Sequence, residues 1–597
     1  MDLDSDDING IEAVRGYVDR VVSGDGKCHG MKVLMLDNAT TQIVSCVYSQ
    51  TEILSKEVYL VSRLEDQEKQ QQQQQSNGGG GGSSHLKAVI FVRPTELSIG
   101  RIVKEIQRPK YAEYHIFVSG ILTSGLLRLL ADADRQERVK QVQEFYADFC
   151  PINEDLLTCE CRNTLAMTVA AGTSWAPQHA HLYERNMQGL QGMLLALKRQ
   201  PAAIRYAASS PCAAEVAKDL NEAIQADDIF HFRRQQRRAA GSNKGGLLVL
   251  VLDRRDDPVT PLLSQWTYQA MVHELLGLNN HRVTLKGAPN VTKDLEEVVL
   301  SATQDSFFKD NRHKNFGELG EEIQRLLQEY QKQTAQHNTA NLNTIEAMQA
   351  FMEKFPELRS QGHNVSKHVA IMGELARLVE ICSLMDVSQF EQELACADDH
   401  NAHWRELMEK LASPNIKRPD KLRLGLLYSL RYEISGNLHM VQQAMKKGGV
   451  PGEMVELVQV MLRYGGTKSR GPGLYGDQKN LMSKMTKSFM TSVQGVQNVY
   501  SQHIPLLMET LAHIQKGKLR KDTHPFVRGS VAYQTASPEV VIPQEILVFM
   551  VGGVTYEEGT KIAEFNQANK GKMQVILGGS TVHNSTSFLD ELKRTSL

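Results

Sequence analysis

No stretch of this 597-residue chain stays apolar for the roughly 18 residues that a membrane-spanning helix needs. Membrane association is therefore expected only through partners. Residues 1–10 (MDLDSDDING) are acidic, not basic and apolar, so they do not read as a secretory leader. Cysteine is sparse, with 8 residues, and without a leader these read as free thiols in a reducing, cytoplasmic setting. Cys159-x-Cys161 has the wrong spacing for a zinc knuckle, and four N-x-S/T sequons (Asn38, Asn290, Asn364, Asn584) read as chance matches. Neither sign of charge prevails: 67 basic residues face 69 acidic ones, a net charge of −2. That balance argues against broad electrostatic binding to nucleic acid or to an anionic membrane. The signatures of chemistry are missing too. There is no G-x-x-x-x-G-K-S/T; the nearest string, Gly465-Gly466-Thr467-Lys468-Ser469, places Thr where Lys should follow Gly. There is no G-x-S-x-G elbow and no H-E-x-x-H. His400-x-x-His403, beside Asp398 and Asp399, and His179-x-His181 are weak pairs that better suit helix starts and surface than a metal. No catalytic set, cofactor or metal is expected.

What is present alternates. Ile11–Val22 has helical spacing, Met31–Leu36 is a short apolar run closed by Asp37, and His85–Val92 and Glu113–Ser119 repeat the strand pattern. Ser98–Ile106 reads as helix, and so does the long stretch Thr123–Phe149. Strands alternating with helices imply a doubly wound, Rossmann-like parallel sheet. The dinucleotide fingerprint is absent after the first strand, where Asp37-Asn38-Ala39 cannot cradle a pyrophosphate. Residues 66–84 (DQEKQQQQQQSNGGGGGSS) lack apolar content and read as an inserted surface loop. Arg233, Arg234, Arg237 and Arg238 form a basic cluster that reads as the solvated end of a helix.

Leu247–Leu252 is an unbroken apolar run, followed by a charged turn and Pro258 and Pro261. Leu262, Leu263, Trp266, Tyr268, Ala270, Met271, Leu275 and Leu276 then suit a helix with a broad apolar face. From 257 to 476 almost every segment has helical period, including a hairpin at about 316–355. Strand character returns at Glu545–Val551 and Met573–Leu577. These strands need a sheet, and the region 147–256 offers the nearest incomplete one. The expected organisation is therefore an α/β domain at 11–146, a discontinuous α/β domain from 147–256 and 477–597, and a mainly helical domain at 257–476 inserted within it.

The string LVLDRRDDPVTPLLSQWTYQAMVHELL, from Leu250 to Leu276, resembles the signature of the SM family, the Sec/Munc-type syntaxin-binding proteins, in its vacuolar, trans-Golgi and endosomal branch. GMKVLMLDNATTQIVSCVYSQTEILSKEVYLVSRLE, VQEFYADF, SKHVAIMGELARLVE, EQELACADDH, VGGVTYEEG and GGSTVHNSTSFLDEL are similar to the same branch. The resemblance breaks at the insert 66–84. It implies the family's arch-shaped fold and a non-enzymatic regulator of vesicle docking and membrane fusion. Such a regulator binds a Qa-SNARE syntaxin of trans-Golgi or endosomal type and promotes SNARE assembly. Assembled SNARE complexes, and a Rab effector or tether, are further implied partners. A monomer, peripherally associated with Golgi, endosomal or vacuolar membranes, is expected.

Two sites follow. Leu122, Leu126, Leu127 and Leu130 on one helix, with Val142 and Phe145 on the next, can leave a groove for a peptide with one or two apolar anchors, and Glu144 at its rim can pair with a basic residue. The same residues also suit the domain's own core, and the pattern alone leaves both readings open. The family resemblance favours the groove, as the seat of a syntaxin N-terminal peptide, at Leu122, Leu127, Val142 and Glu144. It also implies a cleft for a helical bundle, lined from the first domain by Asp37, Thr41, Gln42 and Arg63, of which Thr41 and Gln42 differ from the neuronal members. Two other classes fit the same chain: a nucleotide-dependent enzyme on a Rossmann-like domain, and a scaffold subunit of a tethering complex.

Overall fold

The structure, a computed structural model, describes residues 8–66, 85–170, 177–226, 228–230, 245–289, 291–336, 345–434, 437–475, 500, 502–528 and 542–595. The Gln/Gly insert beyond its first residue, the basic cluster 233–238 and the Met-rich stretch 481–499 lie outside the described residues. The chain divides into two compact units. The first comprises Met1–Arg254, Thr510–Val554 and Ile562–Val582, and the second Arg255–Glu509, Thr555–Lys561 and His583–Leu597.

The first unit contains two sheets. In the first sheet, β1 (Lys32–Leu36), β2 (Val58–Arg63), β3 (Lys87–Val92), β4 (Glu113–Val118) and β5 (Val139–Glu144) are all parallel, in the order β2-β1-β3-β4-β5. The apolar runs of β1, β3 and β4 lack alternation because both faces are covered. One face sends Val33, Met35, Ile90, Val92, Ile116 and Val118 against α3 (Glu96–Gln107) and α4 (Ser124–Ala133). The other sends Leu34, Leu36, Val89, Phe91 and Phe117 against α1 (Gly10–Val22) and α2 (Asn38–Val47).

The helix expected to run from Thr123 to Phe149 is instead α4 followed by the edge strand β5. The Asp134 carboxylate ends the helical run by accepting the N–H groups of Arg138, 2.9 Å, and Val139, 3.0 Å. The spacing misleads because β5 carries a bulge. Tyr114 pairs with Val139, but its neighbour His115 pairs with Gln141. The extra residue puts Val139 and Val142, three apart, onto one core, imitating helical period.

The second sheet uses β6 (Cys150–Pro151), β7 (Leu156–Thr158), β8 (Pro201–Tyr206), β9 (Gly245–Asp253), β10 (Pro543–Val551) and β11 (Gln574–Gly579), in the order β6-β7-β11-β10-β9-β8. Val548 lies between Leu250 and Leu577, so strands far apart in sequence share one ladder. At the end of β9 the fully buried Arg254 donates from Nε to the Gly553 carbonyl, 3.1 Å.

In the second unit, helix does not begin straight after Pro261. A single 3-10 turn at Thr260–Leu262 is followed by extended chain, and α-helix starts only at Tyr268. Remote partners hold the extended part. Ser264 N–H donates to Glu391, 2.6 Å, and Trp266 Nε1 to Ser388, 2.7 Å. An antiparallel pair, Arg282–Thr284 with Glu297–Val299, interrupts the helical array. Three-residue strands are too short to show a period. The hairpin helices are α5 (Phe316–Gln336) and α6 (Ile345–Ile381), the latter running unbroken for 37 residues. Tyr268, His368 of α6 and Asp305 form a buried relay at the hairpin's base, with O–N distances of 2.7 and 3.0 Å.

His313 carries a pH prediction in this unit. Its Nε2 accepts from Arg312 Nε, 3.0 Å, and its Nδ1 lies 3.0 Å from the Thr560 hydroxyl. Burial first, and then the Arg312 charge, lower its pKa from 6.5 to about 3. At pH 7 the imidazole is neutral both folded and unfolded. Below 6.5 the unfolded chain takes up a proton that the fold refuses, so stability is lost as pH falls toward 3. Between pH 7 and pH 5, His313→Asn should lose about 1–2 kcal/mol less stability than wild type, read from urea unfolding at both pH values.

Candidate functional site: a leucine-lined face beside an edge strand

The chain leaves β4 at Val118, loops through Gly120–Leu122 and enters α4, capped by Thr123, whose Oγ1 accepts Leu126 N–H at 3.4 Å. Leu122, Leu126 and Leu130 recur every fourth residue and so share one face of the turn and helix. Leu130 is fully buried, whereas Leu122 and Leu126 are half-buried against the sheet core beside Val142 and Val139 of β5. Outside them stand Ile121, Leu127 and Leu129, 43%, 46% and 53% exposed. Leu127 and Leu129, two apart on the helix, flank the buried stripe on different sides. Glu144 closes β5 at the margin. Its Oε1 accepts Leu122 N–H at 2.7 Å and its Oε2 accepts the Tyr146 hydroxyl at 3.0 Å.

The structure thus gathers Leu122, Leu126, Leu127, Leu130, Val142 and Glu144 around one face, but not Phe145. As a strand neighbour of Glu144, Phe145 points the opposite way. It is buried in the other core, stacked on Phe117 at 5.2 Å and 11°, with the Arg20 guanidinium 4.5 Å from its ring centre. Reading Val142 and Phe145 as one helical face fails because the segment is a strand. Ile121, Leu129 and Tyr146 were not singled out in the sequence. No spacing signal marks Tyr146, because β5 ends at Glu144 and the chain turns there, with Ala147 N–H reaching Phe145 O at 2.9 Å.

The residues expected to line a cleft have distinct surroundings. Asp37 is buried and caps α2. Its carboxylate accepts the N–H groups of Thr40 and Arg93 and the Ser98 hydroxyl, each at 2.8 Å. Thr41 donates its hydroxyl to the Asp37 carbonyl at 2.7 Å, and Gln42 is half-buried on the same helix. Arg63 is exposed at the end of the edge strand β2. Asp37 therefore ties β1, β3, α2 and α3 together. Asp37→Ala should lower stability by about 2–4 kcal/mol in urea unfolding, through the lost cap and two buried donors left unpaired. A loss under about 0.5 kcal/mol would mean that water replaces the carboxylate.

The His400–His403 pair is occupied structurally. His400 Nε2 lies 2.8 Å from the Tyr428 hydroxyl and His403 Nδ1 2.6 Å from that of Tyr432. His403 is buried, not exposed at a helix start. No group of three or more potential metal ligands occurs among the described residues. None of the eight cysteines forms a disulfide, and burial pushes the Cys159 thiol up to about 12, out of nucleophilic range. Among the described residues no helix is long and apolar enough to cross a membrane.

Comparison with known proteins covers nearly the whole chain. The Sec1 family matches residues 32–591. Vacuolar protein sorting-associated protein 45 of Homo sapiens is 39% identical over 593 residues, spanning 99% of this chain and 97% of its own. Its counterpart in Dictyostelium discoideum is 37% identical over 588 residues, spanning 98% of this chain and 97% of its own. The solved structure of the SM protein Vps45 in complex with the Qa SNARE Tlg2 is similar at TM-score 0.85 and 36% identity, covering 98% of each chain. The Unc18–syntaxin 1 complex from Monosiga brevicollis shares the fold at TM-score 0.75 and 18% identity, covering 99% of this chain and 100% of that one.

Proposed function

This chain belongs to the Sec1 family, and from that premise we propose that it binds a Qa-SNARE syntaxin and promotes SNARE assembly in trans-Golgi, endosomal or vacuolar traffic. It acts by binding, not by catalysis. It reaches those membranes as a peripheral protein, through its partners. The syntaxin's N-terminal peptide lies on the face formed by Leu122, Leu126, Leu127, Val142 and Glu144, with an apolar anchor on the leucines and a basic residue at Glu144. The observation that supports this reading is the exposure of Leu127 beside half-buried leucines and a carboxylate already held in place. Apolar anchor pockets with one charged margin suit short peptides. The paired helices α5 and α6 serve as a template for assembling SNARE helices. The wider relatives support the partner class, since Vps45 is recorded with the Qa SNARE Tlg2.

Calorimetric titration with N-terminal peptides from a panel of syntaxins tests the proposal. One peptide should bind saturably, and its sequence names the partner. If none binds, the leucine face is not a peptide site and the syntaxin contact must lie elsewhere.

A further inference from the structure

We infer that Tyr146 is a positioning residue for peptide recognition: it holds the Glu144 carboxylate in the orientation that receives a basic side chain. The inference rests on the peptide-binding reading above and adds to it the group that sets charge selectivity. Backbone pairing between the two chain segments continues past the ends of β4 and β5. Phe145 N–H donates to Val118 O at 2.7 Å, and Ala147 N–H to Ser119 O at 3.1 Å. These bonds flank Glu144 and Tyr146 and fix the backbone of both. Ala147 N–H also reaches Phe145 O at 2.9 Å, so the chain turns at Tyr146, and the Tyr146 hydroxyl comes back to the Glu144 carboxylate.

A glutamate's terminal torsion is broad, so its carboxylate plane is ordinarily free to turn. Here two donors at opposite oxygens remove that freedom, Leu122 N–H at Oε1 and the Tyr146 hydroxyl at Oε2. Tyr146 can do this because its ring packs against the buried core on the α1–α2 side of the sheet, which anchors the hydroxyl from below. A carboxylate has about four acceptor positions, so each oxygen keeps one for an incoming group. The carboxylate plane is thereby fixed while both oxygens can still accept from an incoming cationic group. Because the carboxylate is ordered before the peptide arrives, binding does not bear that ordering cost. Glu144 also carries Leu122 through its backbone N–H. The charged and apolar halves of the face therefore share one support, and Tyr146 steadies it.

The test is a double-mutant cycle by calorimetry on the full chain. Wild type and Tyr146→Phe are titrated with the syntaxin N-terminal peptide returned by the panel, and with the same peptide carrying norleucine in place of each basic residue in turn. Tyr146→Phe removes one oxygen and keeps the ring. It should weaken the basic peptide by about 5- to 10-fold and leave one norleucine peptide within about 2-fold of wild type, with an unchanged melting temperature. Glu144→Gln should show the same selectivity with a larger loss. Equal weakening of basic and norleucine peptides would reduce Tyr146 to a structural residue and overturn the inference. So would full retention of both affinities. If wild type binds no peptide at all, the peptide-binding reading fails and takes this inference with it. If wild type binds and the cycle shows no coupling, only the role of Tyr146 fails.

Discussion

Leu127→Arg should weaken binding of the syntaxin N-terminal peptide about a hundredfold or more, while the variant folds and melts as wild type does. The two halves of this expectation come from one number. Leu127 is 46% exposed, so an arginine there can extend into water when no peptide is present. Exposed substitutions of this kind usually change stability by no more than about 0.5 kcal/mol. In the complex the same position must sit beneath an apolar anchor. A guanidinium there has to be desolvated without a partner or must push the anchor out, and either costs about 2–3 kcal/mol or more, equivalent to about a hundredfold in Kd. Leu130→Arg makes the contrast, because Leu130 is 2% exposed and belongs to the core. That variant should fail to fold instead of failing to bind. An L127R protein that binds with unchanged Kd would remove the leucine face from the recognition surface.

A large loss of stability is also expected at Arg423. Its guanidinium is 4% exposed, 3.1 Å from the Glu391 carboxylate, itself 0% exposed, and 2.6 Å from that of Asp420. It also donates to the Leu262 carbonyl at 3.0 Å. Burial pushes Glu391 up to about 7 against the opposing pull of Arg423. Burial likewise works against the Arg423 charge, yet Glu391 and Asp420 outweigh it and raise its pKa. Arg423→Leu leaves two acidic groups without their cation and should cost about 3–5 kcal/mol, measured by urea unfolding. Replacing all three charges, Arg423→Leu/Glu391→Leu/Asp420→Leu, should recover much of that loss, since a buried ionic cluster replaced by apolar groups is often neutral. A single variant within about 1 kcal/mol of wild type would show that the cluster specifies geometry without holding the unit together. The geometry at stake is the extended segment after Pro261. Glu391 accepts Ser264 N–H, and two residues on, Trp266 packs edge-on against Phe316 at the start of the hairpin, 6.3 Å between ring centres.

Legibility differed from element to element for physical reasons. β1, β3, β4, β9 and β10 are buried on both faces, and continuous apolar runs announce such strands. β5 is an edge strand with one bulge, so its apolar residues fall three apart and four of its six residues are polar. The extended stretch Leu263–Thr267 looks helical because the residues that pull it straight, Ser388 and Glu391, lie more than a hundred positions away. At the candidate site the leucines were readable as one helical face. Which of them stay open to solvent was not, and the partner that orients Glu144 could not be read from the spacing.

By itself the sequence determined the family, through an almost continuous resemblance, and the alternation that makes a parallel α/β fold. It also determined what the chain lacks: a catalytic motif, a dominant charge and a long apolar run. Those properties depend on residue identity and short-range period, which are written along the chain. Tertiary structure alone decided that Leu127 is exposed while Leu130 is core, and that Phe145 turns away from Val142. It also decided that Asp37 is engaged as a cap and that Arg423 neutralises two buried carboxylates. Each of these depends on which atoms meet across long separations, and burial is a property of those meetings, not of the residue.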